Sequence, residues 1–384
     1  MAGFNYGAIG NHEFDYGQET LKKRLSQADF PLMAANIVVE NDALPEFKPY
    51  GIFYIDDTKL CIFSMVQVNE KGIPDTHPSK LTGLKFTPPL EYVPTLKKEL
   101  DSCGVLIALT HLGLETDVEL ANAWQNIDWI AGGHSHTLIK NPTLHNGVLI
   151  TQAGAGLKYA TVTTLKVLDD KVVRRCHAAL SGHKGRNAAA DSLLSGFNDN
   201  PELKQTIGKA TAVISGKQEL GNLMTDAMTA VEPIEIAFQN TGGIRIGKIE
   251  RGDITVSDIY SLDPFGNEII LIQMTPDEIR SLLLNSYNRG NSIDLIPSGV
   301  HYTIVTDESN RGKSVELTLP DGKPLNENNT YNVGVSSYIA SSYTFDHKDP
   351  GTSLYMITAE ALINFIKSKG EIDYTGSLRT RVNR

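Results

Sequence analysis

The sequence predicts a mixed α/β fold in two domains, and three observations carry that reading. Through residue 178, short apolar strands alternate with amphipathic stretches, as they do when helices cover a mostly parallel sheet. Several of those strands run directly into Asn or His. A stretch of small and polar residues, 179–207, then interrupts the pattern before a second series of strands and helices occupies 208–384.

Taken in order, YGAIG, KLCIFSMV, GVLIALT, IDWIAGG and VLITQAG are the expected strands of the first domain. ATVTTLKVLDDKVVRR alternates around Asp169 and Asp170 and predicts a hairpin that closes it. The linker should contain one helix, capped by Asp191. The second domain opens with AVIS, followed by the helix LGNLMTDAMTAVE and the strand EIAFQN. It continues through the helix PDEIRSLLLNSYN and ends on the helix TAEALINFIKSKG. No internal repeat interrupts it.

Bulk properties exclude some functions. A net charge of −10 over 384 residues leaves no Lys/Arg block to displace the counterions of a nucleic acid. The longest apolar runs fall far short of a bilayer span, so no membrane crossing is expected. The opening MAGFNYGAIGNHEFDYG lacks the charged and apolar regions of a secretory signal. Cys61, Cys103 and Cys176 form no close pair and are expected to be buried reduced thiols rather than a disulfide framework.

Strand ends supply the chemistry. YGAIG runs into Asn11 and His12, LIALT into His111, and IDWIAGG into His134 and His136. Ligands gather beyond the carboxyl ends of the strands in open α/β sheets, so these loops should converge. Imidazoles with an Asn carbonyl suit Zn²⁺, Mn²⁺ or a similar divalent ion.

GNHEFDYG at residues 10–17, LTHLG at 109–113 and GGHSHT at 132–137 resemble the ordered signature of calcineurin-like metallophosphoesterases. With the second domain, the chain is similar to the 5′-nucleotidase family, which includes UDP-sugar hydrolases and 2′,3′-cyclic-nucleotide phosphodiesterases. The resemblance implies a four-layer α/β/β/α sandwich, here incomplete, followed by a separate α+β substrate-binding domain. It implies metal-dependent hydrolysis of a nucleoside phosphate ester with two divalent ions. Asn11, His111 and His134 would bind one ion and His136 its neighbour. His12 would face the scissile phosphate, and Asp15 would orient it.

The family begins with a D-x-H strand and a later G-D motif whose Asp bridges the metals, and neither precedes Gly10. Asp75 and His77 share that spacing but lie in a Pro-rich loop, PDTHPS, that follows no strand, and are not read as ligands. The expectation is a chain lacking its first strands, with an unpaired sheet edge, weak metal binding and impaired activity. A fragment, a mis-called start and a short variant fit equally; the leading expectation is an enzyme, with a nucleotide-binding pseudo-enzyme as the alternative. By resemblance the compartment would be periplasmic or secreted.

FQNTGGIRIGKIERGDITVSDIYSLDPFGNEI resembles the family's substrate-binding stretch. It implies Asn240 on the sugar, Gly243 at a close backbone approach, Arg245 on phosphate, and Phe265 beside Asn267 as one face of a base slot, with Tyr338 as the other. Two departures stand out. Residues 341–344 replace a glycine turn and its aspartate, for which Asp346 is a stand-in, and Lys217 stands near the place of a phosphate-binding Arg. The expected partner is a nucleotide or related phosphate ester, with UDP-sugars and cyclic nucleotides as alternatives.

Overall fold

The computed structural model describes residues 3–182 and 185–383, so His183 and Lys184 of the expected linker lie outside the described residues. The chain divides into two compact units, Met1–Ala190 and Asp191–Arg384.

The first unit is built on a six-stranded sheet in the order Tyr50–Ile55, Thr58–Val66, Val105–His111, Trp129–Ala131, Val148–Thr151, Leu144–His145. Its four central strands are parallel, and the two outer ones pair antiparallel. Central strands buried on both faces read as continuous apolar runs, which is why LCIFSMV and VLIAL show no alternation. Helices Pro89–Leu100 and Leu114–Ala123 place Leu96, Leu100 and Leu120 against Phe63 and Leu106. Trp124 stacks on Phe63 with ring centroids 5.2 Å apart. Because the strands are parallel, their carboxyl ends share one edge, where His111 closes its strand and Gly132 to His136 follow the next.

Gly7–Ala8 pairs in parallel with Leu32–Met33. The segment that follows is anchored by Ile9 and Phe14, both fully buried, in a second core with Leu21, Leu44, Val66 and Leu81. The expected hairpin is present as Tyr159–Leu168 and Lys171–Ser181. Asp169 and Asp170 both have positive φ, +49° and +57°, as a tight two-residue turn of the primed type requires.

Two expectations are corrected. Cys61 and Cys103 form a disulfide with Cα atoms 6.0 Å apart, and Cys176 is exposed rather than buried. Cys61 pairs with Leu106 across parallel strands, and Gly104 N donates to Lys59 O at 2.9 Å, so the register carries Cys103 back beside Cys61. A sequence separation of 42 conceals that approach. The helix Ala188–Asn198 is capped by Asn187, whose Oδ1 accepts from Ala189 N and Ala190 N, each at 3.1 Å; Asp191 lies in its first turn.

The second unit centres on a five-stranded sheet in the order Leu295–Ser298, Ile236–Asn240, Tyr331–Ser336, Glu268–Met274, Thr352–Ile357. Helices Gly216–Thr229, Pro276–Asn288 and Thr358–Lys369 cover it, and Leu220, Leu223, Leu282, Leu283 and Leu362 are buried beneath them. Reciprocal capping boxes at Thr255/Asp258 and Thr275/Glu278 fix two helix starts. Asn240 ends one central strand, and Ser336 leads from another into the short helix Ser337–Ser342.

Candidate functional site

In the first unit Asn11, at 3% exposure, sets its Oδ1 3.0 Å from His111 Nε2 while its Nδ2 donates to Asp75 O at 2.8 Å. The rings of His111 and His134 meet edge to face at 5.2 Å. His134 and His136 both sit in the left-handed backbone region, φ +74° and +57°, which turns the loop sharply after the glycine pair. Glycine is required where these segments touch. A Cβ on Gly10 would come within 2.9 Å of the His111 ring, and one on Gly132 within 2.1 Å of Asp117 Oδ2.

His12 Nδ1 bonds Asp15 Oδ2 at 2.8 Å, and Asp15 Oδ1 accepts from Thr76 Oγ1 at 3.0 Å. The bond fixes which ring nitrogen faces the carboxylate. Thr76 and Asp75 belong to the loop that sequence reasoning set aside. Asp75 also directs Oδ2 toward His134 Nε2 at 3.8 Å, and His77 instead caps the turn that follows by accepting from Ser79 N. The segment is separated from GNHEFD by about sixty residues, and no local pattern signals the meeting.

Burial and the neighbouring imidazoles of His134, His12 and His136 push His111 down to about 4, so it stays neutral, the form a metal ligand needs. Burial lowers His134 as well, opposed by Asp75. Behind them lies a buried network. Asp117 accepts from Thr110 Oγ1 at 2.6 Å and from Gln152 Nε2 at 3.4 Å, and Gln152 also holds Gly133 O, Ser135 Oγ and Thr137 N. Thr110 precedes His111, and Gly133 to Thr137 bracket His134 and His136, so one network braces both loops. Burial raises Asp117 to about 7.

For a divalent ion, the donor types here are suitable, and Asn11 Oδ1 and His111 Nε2 are spaced as neighbouring ligands. The set as a whole does not fit a two-metal centre. Among the described residues no three or more His, Cys, Asp or Glu side chains are grouped to hold a metal.

In the second unit the Arg245 guanidinium lies over the Phe265 ring, 5.4 Å from its centroid. Lys217 Nζ donates to Ile244 O next to Arg245, and burial, with Arg245 nearby, lowers its pKa. Asn267 Oδ1 accepts from Ser337 Oγ at 3.2 Å, tying the PFGN turn to the helix that bears Tyr338. Tyr338 meets Tyr343 edge to face at 6.1 Å. The Tyr343 hydroxyl donates to Asp294, and Asp294 Oδ1 accepts from Thr241 Oγ1 at 2.8 Å. Asn240 directs Oδ1 to Gln239 Nε2 at 3.2 Å, and Gly243 is buried beside it. Asp346 turns to Ser281, which leaves Asp294 as the carboxylate beside the tyrosines.

Residues 202–345 match the family 5′-nucleotidase, C-terminal domain. The chain is 25% identical to the endonuclease YhcR of Bacillus subtilis over 99% of its own length and 34% of that protein. It is 25% identical to NAD 5′-nucleotidase of Haemophilus influenzae, with 97% and 78% covered. Its fold is similar to that of the 5′-nucleotidase precursor from Thermus thermophilus at a TM-score of 0.82 and 25% identity, covering 99% of this chain and 84% of that one. The chain thus spans about a third of the length of the first of these relatives.

Proposed function

We propose that this chain, which belongs to the 5′-nucleotidase family, recognises nucleoside phosphate esters through its second unit and carries in its first unit only part of a hydrolytic centre. The observations that support recognition are the Arg245 guanidinium over the Phe265 ring, the bond from Ser337 to Asn267 of the same turn, and the contacts from Tyr338 through Tyr343 and Asp294 to Thr241. In this reading Phe265 and Tyr338 take the base, where stacking is worth about 1 to 3 kcal/mol per base. Arg245, with Lys217 beside it, meets phosphate; Asn240, Gly243 and Asn267 shape the approach. Tyrosine at 343 in place of a small turn residue alters the sugar's surroundings, which favours testing UDP-sugars and cyclic nucleotides beside AMP.

His12 and Asp15 act as an orienting pair: Asp15 holds Nδ1, and Nε2 is the nitrogen that would meet a phosphoryl oxygen or the leaving alkoxide. In a complete family site, two divalent ions would activate the attacking water. Asn11, His111, His134 and His136 are the residues here that would contact them. The carboxylate that these loops bring to the imidazoles is Asp75, whose Oδ2 lies 3.8 Å from His134 Nε2, and in this reading the chain binds AMP and releases little phosphate from it.

The test is metal-dependent phosphate release from AMP, UDP-glucose and a 2′,3′-cyclic nucleotide, with AMP affinity measured by calorimetry on the same samples. Binding with turnover no higher than that of His12→Ala is expected, and a chain extended by a segment bearing both motifs should gain turnover. Robust release by the present chain, abolished in His12→Ala, would overturn the assignment of the essential ligands.

A further inference from the structure

We propose that Asp294 is a positioning residue of the nucleoside site, holding the phosphate-side loop and the aromatic wall at a fixed separation. The inference rests on the nucleotide-binding reading above. Asp294 immediately precedes the strand Leu295–Ser298, whose first residue pairs with Asn240. That register sets Asp294 opposite Thr241, the first residue of the loop that runs to Arg245. Two bonds fasten the pair, Thr241 N to Asp294 O at 2.7 Å and Thr241 Oγ1 to Asp294 Oδ1 at 2.8 Å.

The second carboxylate oxygen reaches the other wall. It accepts from the Tyr343 hydroxyl, and Tyr343 packs its ring against Tyr338 at 6.1 Å. Arg289 covers the Tyr343 ring from 4.6 Å, so the ring is held by a cation on its face and a carboxylate at its tip. Burial and the adjacent Asp294 raise the Tyr343 pKa well above its ordinary value, which keeps the hydroxyl a donor. One side chain therefore couples Thr241, on the arm that carries Arg245, to Tyr343, on the arm that carries Tyr338. The strands that lead into the two arms, Ile236–Asn240 and Tyr331–Ser336, are paired in one sheet, and Asp294 joins the arms beyond its edge.

A positioning role separates from a structural one by ligand. Calorimetry would compare AMP with ribose 5-phosphate, which lacks the base. Tyr343→Phe keeps the ring and removes one hydrogen bond to a charged acceptor; it should weaken AMP about tenfold and leave ribose 5-phosphate nearly unchanged. Asp294→Ala should weaken both ligands. The double variant should bind AMP no worse than Asp294→Ala, because both changes break the same link.

Wild-type AMP affinity in Tyr343→Phe, additive losses in the double variant, or equal losses of AMP and ribose 5-phosphate in Tyr343→Phe would overturn the proposal. Asp294→Asn, which keeps the side chain's size, serves if Asp294→Ala does not fold; AMP affinity equal to wild type there would also count against it. Phe265→Ala tells the two readings apart. If it abolishes AMP binding while Tyr343→Phe does not weaken it, only the role of Asp294 falls. If the unaltered chain binds neither ligand, the nucleotide reading falls and takes this inference with it.

Discussion

Around Asn11, His111, His134 and His136 the donors are assembled by backbone and by glycine, whereas around Thr241, Phe265 and Tyr343 the side chains hold one another. In the first region Gly10 and Gly132 allow the loops to touch, two histidines take left-handed conformations, and buried Asp117 and Gln152 brace the segments from behind. The imidazoles lower one another's protonation. In the second region each arm is bonded to the next, from Asn267 to Ser337 and from Tyr343 through Asp294 to Thr241. A cation site must leave lone pairs unspent and so depends on its scaffold for shape. A slot for an organic ligand can spend its polar atoms on itself and still offer ring faces and a guanidinium.

The largest expected effect separates the units by their staples. Replacing both Cys61 and Cys103 with Ala removes a link across 42 residues of sequence and should cost the first unit about 2 to 5 kcal/mol. Hydrogen exchange followed by mass spectrometry in rising urea would read each unit separately. Equal loss in residues 191–384 would break the comparison, since no disulfide among the described residues lies there.

A second test uses the buried acids. Asp117 in the first unit is raised to about 7 and Asp263 in the second to about 6, each mainly by burial. In each case the unfolded carboxyl ionises first while the folded one keeps its proton. The associated stability is full below about pH 4 and is lost as pH rises to the folded value, by roughly a few kcal/mol for Asp117. Asp117→Asn should flatten the slope of the first unit between about pH 4 and 7 and leave the slope of the second. An unchanged first-unit slope, measured by denaturant unfolding across that range, would show that Asp117 is ionised in the fold.

A smaller effect is expected from Gly132→Ala. The added methyl meets Asp117 Oδ2, a buried side chain with no room to yield, at a cost of about 1 to 3 kcal/mol. The His134 and His136 Hε1 resonances should move while those of unit-two tyrosines stay. Unmoved histidine resonances would mean that the loop is shaped by something other than the glycine pair.

Much of this was legible in advance because its signals are local. PDEIRSLLLNSYN shows its opening proline, early acids and helical period in one window, and the helix occupies Pro276–Asn288. The turn at Asp169 and Asp170 is written in two adjacent residues. Asn187 displaced Asp191 as the cap because two nearby residues could both serve, and only the backbone path chose between them. Thr76, Gln152, Asp117 and Asp294 carried no signal as site residues. Each is an ordinary polar residue whose importance comes from a partner far away in sequence.

The sequence by itself determined the central strands, the interdomain helix and the long helices of the second unit, and which strand ends run into Asn11, His111 and His134, since apolar period, glycine and polar termini are properties of short windows. Tertiary structure alone decided that Cys61 meets Cys103, that Asp75 faces His134, and that Asp294 joins Thr241 to Tyr343. Those contacts depend on sheet register and strand order. A shift of one residue in pairing would send each side chain to the opposite face, and no local preference records which pairing wins.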